Sequence, residues 1–583
     1  MSLDIARLIA FSGISATELQ IAVATSNVTN ADTPGYTQKN ANQESLVTGG
    51  IGTGVSITGI TSNVDKLLLK SLIGATSDLG SADVVNSYMS ELQQIYGTAS
   101  SSGSSTTGTS LANALASFES ALTSLAGTPS SVSQQSIVVS ALDSVAAQLR
   151  ETSSGVQNLR ANADHDISSS VDNINNDLQQ ISDLNVQIKQ GAASGQPTAD
   201  LEDKRNSALQ DLSSLMNVSY FTNTNGDLQV FTASGQALVD TMAHKVSYTA
   251  SNNVSASTSF SPITVNGVDI TSQITSGKVG GLITLRDTTL PAAQSQLDEL
   301  AKQLKSSLNA VSNQGTALPP PASLTGSATV TSATPLSATG TVRIAVVGQS
   351  GNLVSFQDLN LASFATVSDL VTAINGISGL SASVDANGHL SIAATTAGDG
   401  IAINEMTSSV GGAAQGFSDY FGLNDLVTGN GASDIAVRND ILDGNAGLPT
   451  STLDSSATLT AGSQVLSPGS ATIINALANV LMGSTNFAAA GGLNATTGTF
   501  ANYAAAIVSN VANKASQASA VFTAKATAQS TYANSLASES GVNIDEETTR
   551  ISSLQNKYAA ASELIQVINT MFNSLITAVQ STG

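Results

Sequence analysis

Between Ile551 and Val579 the apolar residues Ile551, Leu554, Tyr558, Ala561, Ile565, Ile568, Phe572, Leu575 and Val579 recur at alternating steps of three and four. That spacing keeps one seam of an α-helix on the same side over roughly four heptads, the register of a coiled coil. Leu564, Met571 and Ile576 thicken the seam. A helix built this way has to bury that face. The other end of the chain offers a partner. Residues 3–30 read as a helix with Ile5, Leu8, Ile9, Ala16, Leu19 and Val23 on one side and Leu3, Phe11, Ile14 and Ile21 on the other. A helix apolar on two faces is buried on both, in a large core or between subunits. The two ends of the chain are therefore expected to pack on each other.

NVTNADTPGY, residues Asn27 to Tyr36, follows the N-terminal helix at once. Thr33 precedes Pro34 and is pushed toward an extended conformation, and Pro34-Gly35 fits the centre of a type II turn. The helix has to stop there. Chain ends ordinarily fray, so a rigid turn beside one marks a place where the chain is held. If the terminal helices pair, this turn lies where the pair meets the rest of the protein. A second interruption precedes the C-terminal helix: SGVNIDEE (540–547) offers Asn543 or Asp545 as an N-cap and puts Asp545, Glu546 and Glu547 in the first turn.

Between the ends the period changes twice. GGIGTGVSITGI (49–60) alternates small and β-branched residues and predicts a short extended segment. From about 62 to 215 the pattern is mainly helical, clearest at 164–189 with Ile167, Val171, Ile174, Leu178, Ile181 and Ile188; TASSSGSSTTGTS (98–110) interrupts it as a loop. Residues 218–280 turn β-rich around Asn225-Gly226, a hairpin signal. A helix returns at 291–312, opened by Pro291, and ALPPPAS (317–323) reads as a stiff linker. Residues 341–404 read strand, strand, helix, strand, strand, and helices resume from about 470. The expected fold is multi-domain α+β: paired terminal helices forming a coiled coil, a helical bundle domain, and β-rich inserted outer domains. The divisions are 1–40 with 541–583, 41–217 with 281–316 and 465–540, 218–280, and 320–464.

Composition narrows the chemistry. At 583 residues the chain has room for roughly four domains of about 150 residues. Its net charge is −22 with only 11% charged residues, which argues against a nucleic-acid partner, since phosphate binding needs clustered Lys and Arg. There is no Cys, so disulfides, thiolate metal sites and Cys nucleophiles are excluded together. The N-terminus carries Asp4 where a signal peptide would be basic, and no run of eighteen apolar residues occurs, so neither a cleaved signal nor membrane insertion is expected. HExxH, the Walker phosphate loop and GxSxG are absent, GGIGTGVSITG lacks a correctly spaced third glycine, and DANGHL is a turn rather than an EF-hand. His165, His244 and His389 are isolated from one another. No catalytic residue, metal or cofactor is expected, and the chain does not read as an enzyme.

Both ends resemble the axial rod, hook and hook-associated proteins of the bacterial flagellum. The family's N-terminal form is a small-residue-rich helix followed by N-I-A-N-A-N-T-P-G-Y. Asn27, Val28, Asn30, Ala31, Thr33, Pro34, Gly35 and Tyr36 match it, while Thr29 and Asp32 depart. SGVNIDEE resembles the hook-associated branch, which joins hook to filament: Ser540, Gly541, Val542, Asn543, Asp545, Glu546 and Glu547 match, as do Gln555, Tyr558, Ala561, Ile565, Asn569, Met571 and Phe572 beyond. Internal stretches 199–220 and 281–301 are similar to the same branch, and 320–470 carries little of the likeness.

The resemblance implies a nest of concentric domains with the terminal helices innermost, around an export channel, and a variable outer insert at 320–464. It implies Ile5, Leu8, Ile9, Leu19, Val23, Ile551, Leu554, Tyr558, Ile565, Ile568, Phe572, Leu575 and Val579 as the terminal coiled-coil interface. It further implies an extracellular protein exported by the flagellar type III route, its own copies in a ring, hook protein below, a second junction protein above, and an export chaperone at the C-terminal helix. The alternatives are hook protein or another rod or hook component, against which SGVNIDEE and the long helical region count, and a secreted adhesin or surface-layer protein, which leaves the terminal heptads and TPGY unexplained.

Overall fold

A computed structural model describes residues 3–97 and 110–581, so the loop expected at 98–110 lies, except for Ser110, outside the described residues. The chain is mixed helix and sheet, with long helices at both ends. It divides into two compact units, one built from the chain up to Tyr88, Ala161–Arg286 and the chain from Ser516, the other from Met89–Arg160 and Asp287–Ala515.

The first unit holds α1 (Leu3–Thr29), β1 (Lys39–Thr48), β2 (Ile51–Ser62), the start of α2 (Lys66–Ile95), the later part of α4 (Val132–Ala193), α5 (Ala199–Leu215), α6 (Gly277–Thr284), the end of α12 (Phe500–Ser540) and α13 (Ile544–Ser581). α1 packs against α13 and against the β1–β2 hairpin. The extended segment expected at 49–60 is one strand of that hairpin. Its partner, KNANQESLVT, gave no strand signal because its residues are polar, and most of them stay exposed. The connection is Gly49-Gly50, with φ of +58° and +81°, the left-handed pair that a two-residue hairpin turn requires. α1 is long and apolar enough to cross a membrane by length and composition. No run of eighteen apolar residues is needed for that, because Ala, Gly, Ser and Thr dilute the charges as well as the large apolar residues. The same property suits a helix packed on protein.

The helix expected at 164–189 is part of one 62-residue helix, α4, and Ile167, Val171, Ile174, Leu178, Ile181 and Ile188 are all buried. The β-rich stretch forms two small antiparallel sheets, 219–222/228–231/237–239 and 246–247/264–265/268–269. α4 anchors both: Asn185 hydrogen-bonds the backbone of Leu228 (2.9 Å each way), and the Asp164 carboxylate takes the Arg286 guanidinium (3.0 Å), the Tyr248 hydroxyl and the Ser251 N–H (2.6 Å). Asp177, also on α4, is pushed up to about 6 by burial, with Asp211 of α5 adding to the shift.

The second unit contains α3 (Leu111–Gly127) and α7 (Leu290–Ser312), which follows α6 through a π-helical turn at Leu285–Thr289. Pro291 stands in the first turn of α7, and Leu297, Leu300, Leu304 and Leu308 of its stripe are buried. The expected α+β module is present: strands 353–360, 341–348 and 399–404 form one antiparallel sheet, and 380–384, 389–394 and 323–329 another. α8 (Val367–Asn375) crosses between them, opened by a Thr366/Asp369 capping box. ALPPPAS does not run free as a linker. Its carbonyls accept from both sheets, from Ile401 N–H at Pro321 (2.9 Å) and from Ala394 N–H at Ala322 (2.8 Å), because a Pro-rich strip lacks donors but keeps every acceptor. Short helices α9 (Phe417–Phe421) and α10 (Asn439–Leu442) precede α11 (Thr472–Met482) and a hairpin at 485–487/496–498.

Candidate functional site

Asn27, buried near the end of α1, uses its amide to imitate a strand edge. Its Oδ1 accepts the Lys39 N–H (3.0 Å) and the Tyr36 hydroxyl (3.0 Å), and its Nδ2 donates to the Lys39 carbonyl (2.9 Å). The chain between them makes the expected type II turn: Tyr36 N–H donates to the Thr33 carbonyl (3.1 Å), with Gly35 at φ +77°. A Cβ on Gly35 would also lie 2.6 Å from Ser207 Oγ of α5, so conformation and space both demand glycine.

Residues 36–40 are thus drawn across the end of α1, and successive residues of an extended segment face opposite ways. Thr37 and Lys39 meet α5. Asp203 accepts from the Thr37 N–H (2.9 Å), from Thr37 Oγ1 (2.7 Å) and from the Lys39 ammonium. Gln38 and Asn40 meet the joint between α12 and α13. The Gln38 N–H donates to the Ser540 carbonyl (2.8 Å), Gln38 Nε2 to Glu547 Oε1 (2.7 Å), and Arg550 Nη1 to Asn40 Oδ1 (2.8 Å). One five-residue strap is gripped from both sides.

Lys39 and Asp203 are only 3% and 6% exposed. Removing two ions from water is costly, and their attraction offsets the cost only where the remaining polar groups are satisfied. Here Thr37 Oγ1 (3.0 Å) also accepts from the Lys39 ammonium, which lies 4.7 Å from the centre of the Tyr36 ring. Burial pushes the Tyr36 phenol up, and the nearby carboxylates of Asp200, Asp203 and Glu547 add to this.

The other motif residues divide by task. Asn30 returns its side chain to the Ser26 carbonyl (2.9 Å) and takes the Thr33 N–H on its own carbonyl (2.9 Å), while Thr33 and Pro34 point outward. Asn543 is the N-cap of α13, accepting from Asp545 N–H (3.0 Å) and Glu546 N–H (3.3 Å). Ser540 Oγ accepts the Asp65 N–H (3.1 Å), and Asp65 in turn caps α2. Gly541 and Val542 form the half-buried link, and Asp545 and Glu546 are exposed.

The terminal helices are less closed than their stripes predict. Among the residues assigned to the coiled-coil interface only Val23, Leu554 and Ile568 are buried within the chain; Ile5, Ile9, Ile551 and Ile565 are half-buried. Leu8, Leu19, Tyr558, Phe572, Leu575 and Val579 are exposed, up to 66% at Val579. The buried side of α1 is instead Ala10, Ala16, Thr17, Val23, Ala24 and Asn27. Small residues let helices and strands approach closely, so they form the seam and the large residues face away. From Asn569 to Ser581 no residue of α13 is buried.

Thr37, Gln38, Lys39, Asn40 and Asp203 were not singled out from sequence; their only signal is that Thr37 and Gln38 continue the N-terminal signature and Asp203 sits in the similar stretch 199–220. His244 lies beside Asp240 (3.0 Å) and His389 beside Asp385 (3.8 Å), and among the described residues no three His, Asp or Glu are grouped as for a metal ion.

Three family models match, in order along the chain: the basal body rod protein at 8–37, the helical domain of flagellar hook-associated protein FlgK at 81–323, and the C-terminal region of basal body rod FlgEFG proteins at 534–578. Flagellar hook-associated protein 1 of Escherichia coli is 23% identical over 589 aligned positions, 97% of this chain and 98% of the relative. Along nearly its whole length this chain is similar to flagellar hook-associated protein 1. The Salmonella typhimurium member is 25% identical over 52% of this chain and 56% of its own length. A solved flagellar hook junction protein from Burkholderia pseudomallei is 17% identical, with a TM-score of 0.47, over 80% of this chain and 98% of that one. The strap draws on all three matched segments: Asn27, Tyr36 and Thr37 from the first, Asp203 from the second, Ser540 and Glu547 from the third.

Proposed function

We propose that this protein is a structural axial component of the bacterial flagellum that joins hook to filament. The observation that carries this reading is the strap, where the three matched segments meet in a node with no catalytic geometry. Its task is mechanical: it fixes how the paired chain ends leave the rest of the subunit.

Finer points follow as part of the same proposal. The terminal residues 1–40 and 541–583 form the inner coiled-coil domain. The helical core comprises 41–217, 281–316 and 465–540, and the stretches 218–280 and 320–464 are outer insertions. The last turns of α13 support an inner position. No charge follows Glu563. At about 100° per residue, Gln566, Asn569, Thr570, Asn573, Ser574, Thr577, Gln580 and Ser581 share one arc, and Leu564, Ile565, Val567, Ile568, Met571, Phe572, Leu575, Ile576 and Val579 share the rest. The apolar arc serves neighbouring copies in a ring, and the uncharged polar arc serves a wetted centre. Hook protein binds below and a second junction protein above. An export chaperone takes the C-terminal helix before assembly, and the subunit leaves by the flagellar type III route without signal cleavage.

Electron microscopy of cells lacking the gene, with flagellin assayed in the medium, tests this reading. Hooks without filaments and flagellin lost to the medium are expected. Absent hooks would move the protein down to hook or rod; intact filaments would overturn the proposal.

A further inference from the structure

We propose that one face of α7 serves as a strand edge, a rail that locks the α+β module of the second unit to that unit's helices so that they move as one body. The inference concerns the single chain and does not rest on the junction reading.

Asp298, Lys305, Asn309, Ser312 and Asn313 of α7 meet residues 424–432, chiefly through the main chain of that segment. Asp298 Oδ1 accepts the Ala432 N–H (2.8 Å), and the Lys305 ammonium donates to the Gly429 carbonyl (2.6 Å). Asn309 Oδ1 accepts the Leu426 and Val427 N–H groups (3.0 and 2.9 Å), and its Nδ2 donates to the Val427 carbonyl (2.8 Å). Ser312 Oγ donates to the Asn424 carbonyl (2.5 Å), and Asn313 Oδ1 accepts the Asn424 N–H (2.8 Å). As α7 runs forward, the segment runs backward. Four residues of helix advance about 6 Å, and two residues of extended chain advance about 6.6 Å. Asn309 and Asn313 are four apart and read the N–H groups of Leu426 and Asn424, two apart. Amides one turn apart on a helix therefore keep step with the main chain of an extended segment, as a neighbouring strand would.

The ladder is sealed, and it ends in the module. Asn309, Asn313, Asn424, Leu426 and Val427 are buried. Just before it, Phe417, Phe421 and Leu423 belong to the apolar core of the module. Asn313 also takes the Ser418 hydroxyl (2.8 Å) and donates from Nδ2 to Asp425 Oδ1 (2.7 Å), while Asp425 Oδ2 takes the Ser327 hydroxyl from the strand 323–329. The chain enters the module directly after Asn313, so entry and exit are fixed at the same end of α7. A module held by one covalent link swings about it. This one cannot swing without stranding buried N–H and C=O groups of 424–427.

The test uses the full chain. It has no cysteine, so Ser306→Cys on α7 and Ala386→Cys in the module, both at exposed positions, carry a clean pair of spin labels. Label separation and deuterium uptake are measured with and without Asn309→Leu, which keeps the bulk and removes the three central bonds. Uptake over 424–432 rises by about tenfold or more, and the distribution of label separations broadens. Uptake over 341–348, the middle strand of its sheet, stays at wild type. Should that strand also lose protection, Lys305→Met, a cut at a half-buried position, replaces Asn309→Leu and gives a smaller rise and a smaller broadening. Wild-type uptake over 424–432, or a wild-type label distribution, in the variant that keeps 341–348 protected overturns the proposal.

Discussion

Leu575→Asp separates folding from assembly. Leu575 is 55% exposed in the single chain and lies in the stretch of α13 where nothing is buried. Fully burying a leucine side chain is worth roughly 1.5–3 kcal/mol, so a partner covering the exposed half gains about 1 kcal/mol from it. An aspartate there would bury an unpaired carboxylate at several kcal/mol more. The sum, about 5 kcal/mol per contact, is a loss of roughly three to four decades in association. The free subunit keeps the carboxylate in water, and its stability shifts by no more than about 0.5 kcal/mol. Leu575→Ala should lose only about tenfold in association. The assay pairs the thermal melt of purified subunit with its incorporation into flagella in cells. An aspartate variant that assembles normally would refute the interface assignment; one whose melt collapses would show that Leu575 is covered within the chain after all.

The other predictions concern the node and α4. Asp203→Ala strands the Lys39 ammonium in a buried site and should destabilise the first unit by about 3–5 kcal/mol, read as exchange over 36–48, whereas Lys39→Met with Asp203→Leu should recover most of that. Gly35→Ala meets both the left-handed backbone and Ser207, and a cost of about 1–2 kcal/mol is expected by the same exchange readout. Asp177 has a folded pKa of about 6, above its unfolded value near 3.9. The folded chain therefore holds that proton more tightly, and the site's contribution to stability is full below about pH 4 and declines as pH rises to about 6. Two units would be worth about 3 kcal/mol, but the group is half exposed, so about 1 kcal/mol is the working figure. Asp177→Asn should raise stability at pH 7 by that amount and flatten the difference between melts at pH 4.5 and 7; an unchanged difference would sink the assignment.

What the sequence made legible was whatever had a long period or a rigid turn. The stripes of α4 and α7, the helical run of α13, the Pro34-Gly35 turn and the Asn543 cap rest on local rules that tertiary structure did not override. β1 was invisible because KNANQESLVT has neither alternation nor β-branching, and its strand character comes from β2 beside it. The buried side of α1 departs from its large apolar stripe for a different reason. Counting large apolar residues favours Leu8 and Leu19, but close approach selects Ala10, Ala16 and Ala24, so the large residues end up outside. The strap could not be read at all, since a buried lysine and a buried glutamate are unremarkable letters until Asp203 and Gln38 are placed beside them.

The bare last turns of α13 set a thermal character for assembly. None of the thirteen residues 569–581 is buried, and a helix of that length is marginal in water by itself. Docking must therefore fold as well as bind, and it removes a wide apolar arc from solvent. Such a step carries a negative heat-capacity change. Cooling strengthens its helix-forming part while weakening its apolar burial, so the enthalpy of docking varies steeply with temperature.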